Sequence, residues 1–399
     1  MCKVTIVDSP CGYGKTSWAI QMMDTMEFER FMYITPIIPE VKRVKNSCNR
    51  VFKEPNEKQG KGSKRNHFYN LVKEGHDIVS THALFRGVNK EVKDTIKEME
   101  YILILDEVMD VVEQIKISTD DINILLEQEI ISVDDKNRVH WKNEGYKGEF
   151  KKYYNPIKNG DVYLHNGIMI LWTFPAEIFN SFKKVYILTY LFKGQIQRYY
   201  YDMNNVDYEY KSVECASFGE NKHYRLIDYK DIGGSQFKDL INIYQGKLNN
   251  IGDDKYSLSK SWFDKSINKA PLRTLVNNTS NYFKHIVKGK SDENMWTTFK
   301  DYRDKTKGKG YSKGFVECTA RGTNDYKHKT NLAYLINRFN QPMIEQFFVA
   351  HGVAIDEDTW ALSELIQWTF RSAIRENKPI NIYIPSQRMR DLFIDWLKK

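Results

Sequence analysis

The sequence predicts an α/β protein whose strands alternate with helices in two successive units, each with a mostly parallel sheet, and three observations carry that expectation. The opening run VTIVDS (4–9) breaks into Ser9-Pro10-Cys11-Gly12-Tyr13-Gly14-Lys15-Thr16-Ser17 and continues as helical WAIQMMDTM. The aliphatic run YILILDEVMD (101–110) ends in Asp106 and Glu107. Strand and helix patterns resume near residue 271 and close with PINIYIPS and QRMRDLFIDWLKK. A length of 399 residues fits two domains at roughly 100–200 residues each.

Composition sets the outer bounds. Hydrophobic residues make up 41% and charged residues 28%, with 21 Phe, 25 Tyr and 8 Trp to fill cores, which excludes wholesale disorder. No apolar run reaches the ~18 residues of a membrane span, and MCKVTIVDSP lacks the basic-then-apolar build of a signal peptide. The expectation is a soluble, cytoplasmic protein with no membrane partner. Cys2, Cys11, Cys48, Cys215 and Cys318 lie far apart with no CxxC pair and no His doublet, so reduced thiols and no structural metal are expected.

Taken in order, the first element is strand, loop, helix. Gly12 and Gly14 let backbone N–H groups wrap phosphates, the helix N-terminus adds partial positive charge, Lys15 reaches the β/γ-phosphates, and Thr16 is a ligand for Mg²⁺. Ser9 stands where the general phosphate-loop pattern has glycine. Strand candidates follow at FMYITPIIPE (31–40) and DIVSTHALF (77–85), and YILILDEVMD delivers its two acids at the end of a parallel strand that faces a nucleotide. Asp106 is then placed to hold Mg²⁺ and Glu107 to orient or deprotonate the attacking water. GIMILWTFP (167–175) and VYILTYLF (185–192) are read as further strands of the same sheet, with the acidic segment 110–150 as an insertion or peripheral hairpin. The first unit is closed at residue 192 with its insertion at about 110–160, and the second runs from 193 to 399 with an unassigned stretch at about 195–270.

The net charge of +8 is concentrated. Residues 42–66 hold nine basic and two acidic side chains, and residues 284–313 hold nine and four, each interleaved with glycine and aromatics as in loops that touch phosphates and bases. A solvated lysine-rich loop gives the same pattern. In the second half, Gln367, Arg371 and Arg375 are spaced i, i+4, i+8 and share a helical face suited to an array of phosphates. A surface helix with salt-bridged arginines shares that spacing.

With these segments in view, the chain resembles the superfamily 2 DExx-box helicases, in particular the helicase-like proteins of tailed bacteriophages. SPCGYGKTS is similar to their motif I, YITPIIPE to motif Ia, IVSTHALF to the next DNA-contacting motif, and ILILDEVMD to motif II. VYILTYLF lies where motif III is expected, with Tyr190 and Leu191 in place of Ala-Thr, and QWTFRSAIR resembles motif VI with its second arginine one residue late. The segment WTTFKDYRDKTKGKGYSKGFVECTARGTNDYKHKTNLAYLINRFNQP is similar to the one that phage relatives carry in place of motifs IV and V. The resemblance implies two RecA-like domains with ATP in a cleft between them and single-stranded nucleic acid across both. It implies a phosphate site of Ser9, Gly12, Gly14, Lys15, Thr16, Ser17, Asp106, Gln367 and Arg375, with Arg371 as arginine finger. Thr35, Pro36, Thr81 and His82 are implied nucleic-acid contacts, and Thr189 a coupler of ATP state to DNA grip; Lys309 and Arg321, in and after the second basic stretch, are expected to contact nucleic acid as well.

The expected function is an ATP-dependent DNA helicase or single-stranded DNA translocase using ATP and Mg²⁺ on single-stranded or tailed DNA, alongside phage replication proteins. Two alternatives share the phosphate loop and acidic strand: a terminase-type DNA-packaging ATPase, and a DNA-binding ATPase without unwinding activity. The first needs clustered nuclease ligands, for which Asp325, Asp356, Glu357 and Asp358 of the C-terminal half are too few.

Overall fold

The computed structural model describes residues 4–88, 90–159, 161–218, 221–320 and 325–399. Its strands begin with β1 (Val4–Asp8), β2 (Phe31–Thr35), β3 (Ile78–Thr81) and β4 (Ile102–Asp106). The next five are β5 (Val112–Ile115), β6 (Ile131–Val133), β7 (Val139–Trp141), β8 (Asp161–His165) and β9 (Met169–Thr173). After them come β10 (Lys184–Thr189), β11 (Tyr208–Phe218) and β12 (Asn221–Asp228). β13 (Ile241–Ile243), β14 (Asn294–Thr297), β15 (Asn331–Tyr334) and β16 (Ile380–Tyr383) complete the set.

Seven strands form the first sheet in the order β12-β11-β1-β10-β4-β2-β3, with every neighbour parallel except the β11–β12 hairpin. Side chains alternate between faces with period two. Ile6, Ile34, Leu103, Leu105 and Ile187 enter one core, and Val7, Tyr33, Ile104 and Leu188 enter the other. Both faces are apolar because both are covered, which is why these strands read as unbroken aliphatic runs. The second sheet, β13-β16-β15-β14, is parallel throughout and repeats the arrangement, with Met295, Leu332 and Ile382 on one face and Trp296, Ala333 and Tyr383 on the other. The two parallel sheets are the cores of two RecA-like domains.

Several expectations change on folding. FMYITPIIPE is strand only to Thr35, and a helix starts at Ile38 with Pro39 in its first turn, where a missing N–H costs nothing. β9 is a strand, but it pairs antiparallel with β5 and β8 in a separate three-stranded sheet. That sheet, the β6–β7 hairpin and the helix Thr119–Glu127 form an inserted unit around Ile122, Leu125, Trp141 and Val162. The stretch from 195 holds a helix, Ile196–Met203, and then β11, which pairs with β1 and carries the first sheet past residue 192 to Asp228. The unassigned residues up to 268 also contain β13 and the short helix Lys260–Asp264 of the second domain.

The domains are tied together at several points. The helix Pro342–Ala350 sends Phe347 and Phe348 into the core of the first domain. The helix Glu357–Thr369 lies so close to Gly194 that a Cβ there would stand 2.4 Å from the Trp360 amide nitrogen. Gln195 Nε2 donates to Ser363 Oγ at 2.8 Å, and the Asp356 amide donates to the Tyr199 phenol at 2.7 Å. Trp396 Nε1 donates to the Tyr190 hydroxyl at 2.6 Å, and that hydroxyl donates to the Ile232 carbonyl at 2.6 Å. Among the described residues no helix is long and apolar enough to cross a membrane.

Candidate nucleotide site

The site starts where β1 stops. Gly12 and Gly14 take φ of 86° and 87°, left-handed values that glycine adopts at no steric cost, and the helix Lys15–Thr25 begins immediately after Gly14. Lys15 Nζ folds over the loop and donates to the Ser9 carbonyl at 2.6 Å and the Pro10 carbonyl at 3.1 Å. Ser9 has a structural reason to be serine: its Oγ accepts the Val213 amide at 2.9 Å, stitching the loop to β11. Asp8 is held in the same way, its carboxylate accepting the Leu191 and Phe192 amides at 2.9 Å each. Burial nevertheless raises the Asp8 carboxyl to about 6, with those two amides pulling it down.

Opposite the loop lies the end of β4. Glu107 is left-handed, with φ 68°, and its amide donates to the Leu188 carbonyl at 2.9 Å, so the backbone turn at the strand end is pinned by β10. Its Oε2 is buried with no protein hydrogen-bond partner. Burial, aided by the charges of Glu107 and Glu40, raises the Asp106 carboxyl to about 7.

Both groups line one cleft of about 280 Å³, with Gly12, Gly14, Lys15, Thr16 and Ser17 on its floor and Gln367, Arg371 and Arg375 on its far wall. Cys11 sits among these charges: burial raises its thiol, Lys15, Arg375 and Arg371 lower it, and Glu107 raises it further. Two larger cavities, of about 590 and 780 Å³, lie away from this loop, at an acidic surface around Asp356–Asp358 and between the insertion and Arg86.

The far wall differs from the single helical face that the spacing predicts. The helix ends at Thr369; Arg371 follows in a tight turn, its amide bonding to the Trp368 carbonyl at 3.2 Å, and Arg375 belongs to the separate 3₁₀ turn Ala373–Glu376. Ser372 Oγ donates to the Thr369 carbonyl at 2.7 Å, competing with continuation of the α-helix. All three side chains still reach the cleft; Arg371 is buried and Arg375 exposed.

Of the nucleic-acid candidates, Thr35 and Pro36 line this same cleft, next to Asp106. Thr81 lies at the end of β3, in register with Thr35, and His82 opens the short helix His82–Phe85. Thr189 ends β10 and is buried, its carbonyl accepting the Ser9 amide at 3.1 Å. Lys309 is exposed in the loop after Thr306, and Arg321 lies outside the described residues. The basic stretch 42–66 is partly structural: Arg50 binds Asp77 at 2.9 Å and caps the carbonyls of Met26 and Glu29, and Arg43 pairs with Glu40 at 2.6 Å inside the cleft.

Sequence reasoning missed Glu40, Arg43, Phe370 and Tyr224, which also line the cleft. Arg43 was visible only as one of a run of cations. Tyr224 carried no signal, because it comes from β12, more than 200 residues after the loop it touches.

The donors suit a hard divalent cation. A Thr16 hydroxyl and an Asp106 carboxylate are the oxygen ligands Mg²⁺ takes when it shares its shell with phosphates and water, and a cation there offsets the burial that holds Asp106 up.

Two family models match the chain: the YonV C-terminal Rossmann-like domain over residues 235–397, and the YonV middle domain over residues 112–172. The SPbeta prophage-derived uncharacterized protein YonV of Bacillus subtilis (strain 168) is 44% identical in an alignment of 414 positions that spans 100% of this chain and 99% of that protein. The chain belongs to the YonV family. The middle-domain match coincides with the insertion that carries β5 to β9, and the C-terminal match with the second sheet. Among solved structures, XPD in its apo form superposes with a TM-score of 0.53 at 9% identity, covering 99% of this chain and 95% of that one. An XPD helicase structure gives 0.49 at 11% identity, covering 100% and 94%. At that identity the first likeness is one of fold, and it agrees with two RecA-like domains across the whole chain.

Proposed function

We propose that this YonV-family protein hydrolyses ATP in the cleft between its two domains and couples that cycle to movement along, or unwinding of, nucleic acid. The observation that carries the reading is that Lys15, Asp106 and Glu107 of the first domain and Gln367, Arg371 and Arg375 of the second line one cleft. The fold shared with XPD and the prophage origin of the YonV relative support a phage helicase or translocase.

Lys15 exchanges its two loop carbonyls for β- and γ-phosphate oxygens, joined by the amides that open the helix Lys15–Thr25. Thr16 and Asp106 would hold Mg²⁺, which would supply positive charge against the phosphates. The buried Oε2 of Glu107 accepts a hydrogen bond from the attacking water and aligns its oxygen with the γ-phosphorus. As the water oxygen bonds to that phosphorus, the water's proton passes to the Glu107 carboxylate and on to solvent; the bond to the β-phosphate oxygen breaks with its electron pair leaving on ADP, and Arg371 takes up the developing charge, with Gln367 and Arg375 on the outer oxygens. Departure of phosphate removes the anion that the two walls share. On this reading Thr81, His82, Lys309 and Arg321 contact the nucleic acid strand.

The test is ATP turnover with and without single-stranded DNA or RNA, beside strand displacement on 5′- and 3′-tailed duplexes. Stimulated turnover with displacement is the expected result. Turnover without displacement reduces the protein to a nucleic-acid-binding ATPase, and absence of turnover in every arm sinks the reading.

A further inference from the structure

The strand order gives the cleft a direction. Asp106 and Glu107 stand two strands from β1 on one side, and Tyr224, on β12, stands two strands from β1 on the other. Gly14 and Lys15 lie between them in the same cleft. A triphosphate whose γ-phosphate points at the acidic pair therefore runs its nucleoside toward β12.

The ring waiting there is fixed in place. A Cβ on Gly14 would stand 2.1 Å from the Tyr224 ring, so the ring rests directly on the loop. Its strand is clamped to the first helix: the Tyr224 amide donates to Gln21 Oε1 at 2.9 Å, and Gln21 Nε2 donates to the Lys222 carbonyl at 2.9 Å. The partner strand β11 is sewn to the loop through Val213 and Ser9, and through Ser212 Oγ, which donates to the Asp8 carbonyl at 3.1 Å. Tyr224 is half-buried, with part of its surface open to the cleft.

We infer that Tyr224 is the platform on which the base of the bound nucleotide stacks. The inference rests on the nucleotide reading of the cleft and adds how the site holds the nucleoside. Every nucleobase has a π-face, so recognition of this kind gives affinity with little choice between adenine and guanine.

The test compares binding of AMPPNP, GMPPNP and inorganic tripolyphosphate, each with Mg²⁺, to the full chain by titration calorimetry. Tyr224→Ala is expected to weaken both nucleotide analogues about tenfold and to leave tripolyphosphate binding as in the parent, with Tyr224→Phe indistinguishable from it. Tyr224→Leu keeps Gly14 covered but has no π-face, and should behave as Tyr224→Ala. Unchanged AMPPNP affinity in Tyr224→Ala, parent affinity in Tyr224→Leu, or a parallel loss of tripolyphosphate binding overturns the inference. Failure of the underlying reading looks different: the parent chain then binds neither AMPPNP nor tripolyphosphate, or Lys15→Ala leaves both affinities intact.

Discussion

The two walls of the cleft are built by opposite means. One is local: nine consecutive residues, 9–17, supply the turn glycines, the lysine, the hydroxyl and a helix N-terminus, and the strand before them fixes their position. The other exists only through packing. Arg371 and Arg375 follow the end of the helix Glu357–Thr369, and that helix is held by its contact with Gly194 and its hydrogen bonds to Gln195 and Tyr199. The first wall is complete wherever the first domain folds, whereas the second brings charge to it only while the domains stay docked.

That contrast is sharpest in the loss of single cations. Lys15→Ala should abolish turnover while thermal unfolding stays close to the parent, since among the described residues the ammonium's hydrogen bonds go to its own loop. Normal ATPase in the purified variant would remove the loop from the site. Arg371→Ala should leave AMPPNP binding near normal and lower turnover by at least ~10²-fold, as for arginine fingers. If turnover does not change, the far wall takes no part in the chemistry.

The docking itself can be broken without touching either wall. Gly194→Ala places a methyl group against the Trp360 backbone, and overpacking of this kind costs about 1–3 kcal/mol. Turnover should fall more than tripolyphosphate affinity, because only the second wall is displaced. Equal losses in both would make the two walls one unit.

A pH series separates the groups of the first domain. Burial holds the Asp106 carboxyl up to about 7, so Mg²⁺-dependent AMPPNP affinity should climb through about pH 7 as the proton leaves, then level off. For folding the sign is reversed. Below the ordinary value of 3.8 both folded and unfolded states are protonated and the group costs nothing; the cost grows as pH rises and is complete above about 7. Asp106→Asn should therefore flatten the binding curve and raise the neutral-pH melting temperature, and a binding curve with the parent's midpoint in that variant would assign the titration elsewhere. Tyr190→Phe leaves the Trp396 N–H without its acceptor at the domain boundary, and chemical denaturation should show a loss on the scale of Gly194→Ala, about 1–3 kcal/mol, with no titration in the range of Asp106.

Legibility in the sequence followed the same division. The strand, loop and helix over 4–25 and the acid-ended strand at 102–106 were readable as local structure because each is a short segment bounded by its own turn signals. GIMILWTFP was read correctly as a strand, yet nothing in an aliphatic run says which sheet it joins, and β9 pairs with β5 and β8 in the insertion. IQRYYYDM, in the stretch the sequence left unassigned, is a helix with Gln197, Tyr199, Tyr200 and Tyr201 buried against the first domain, a tertiary outcome that overrides the strand propensity of its tyrosines. β11 and β12 escaped notice because β11 pairs with β1, some 200 positions earlier. The spacing of Gln367, Arg371 and Arg375 predicted one helical face; the three side chains line one cleft, but the helix stops between the first and second, and Arg371 and Arg375 reach the cleft from turns.

The helix Pro342–Ala350 leaves the second domain and buries Phe347 and Phe348 among residues of the first. Dividing the gene at the seam between the sheets would therefore strip a plug from one half and leave greasy side chains dangling from the other. Neither product should stay in solution by itself, and any swing of one domain against the other must pivot around that peg.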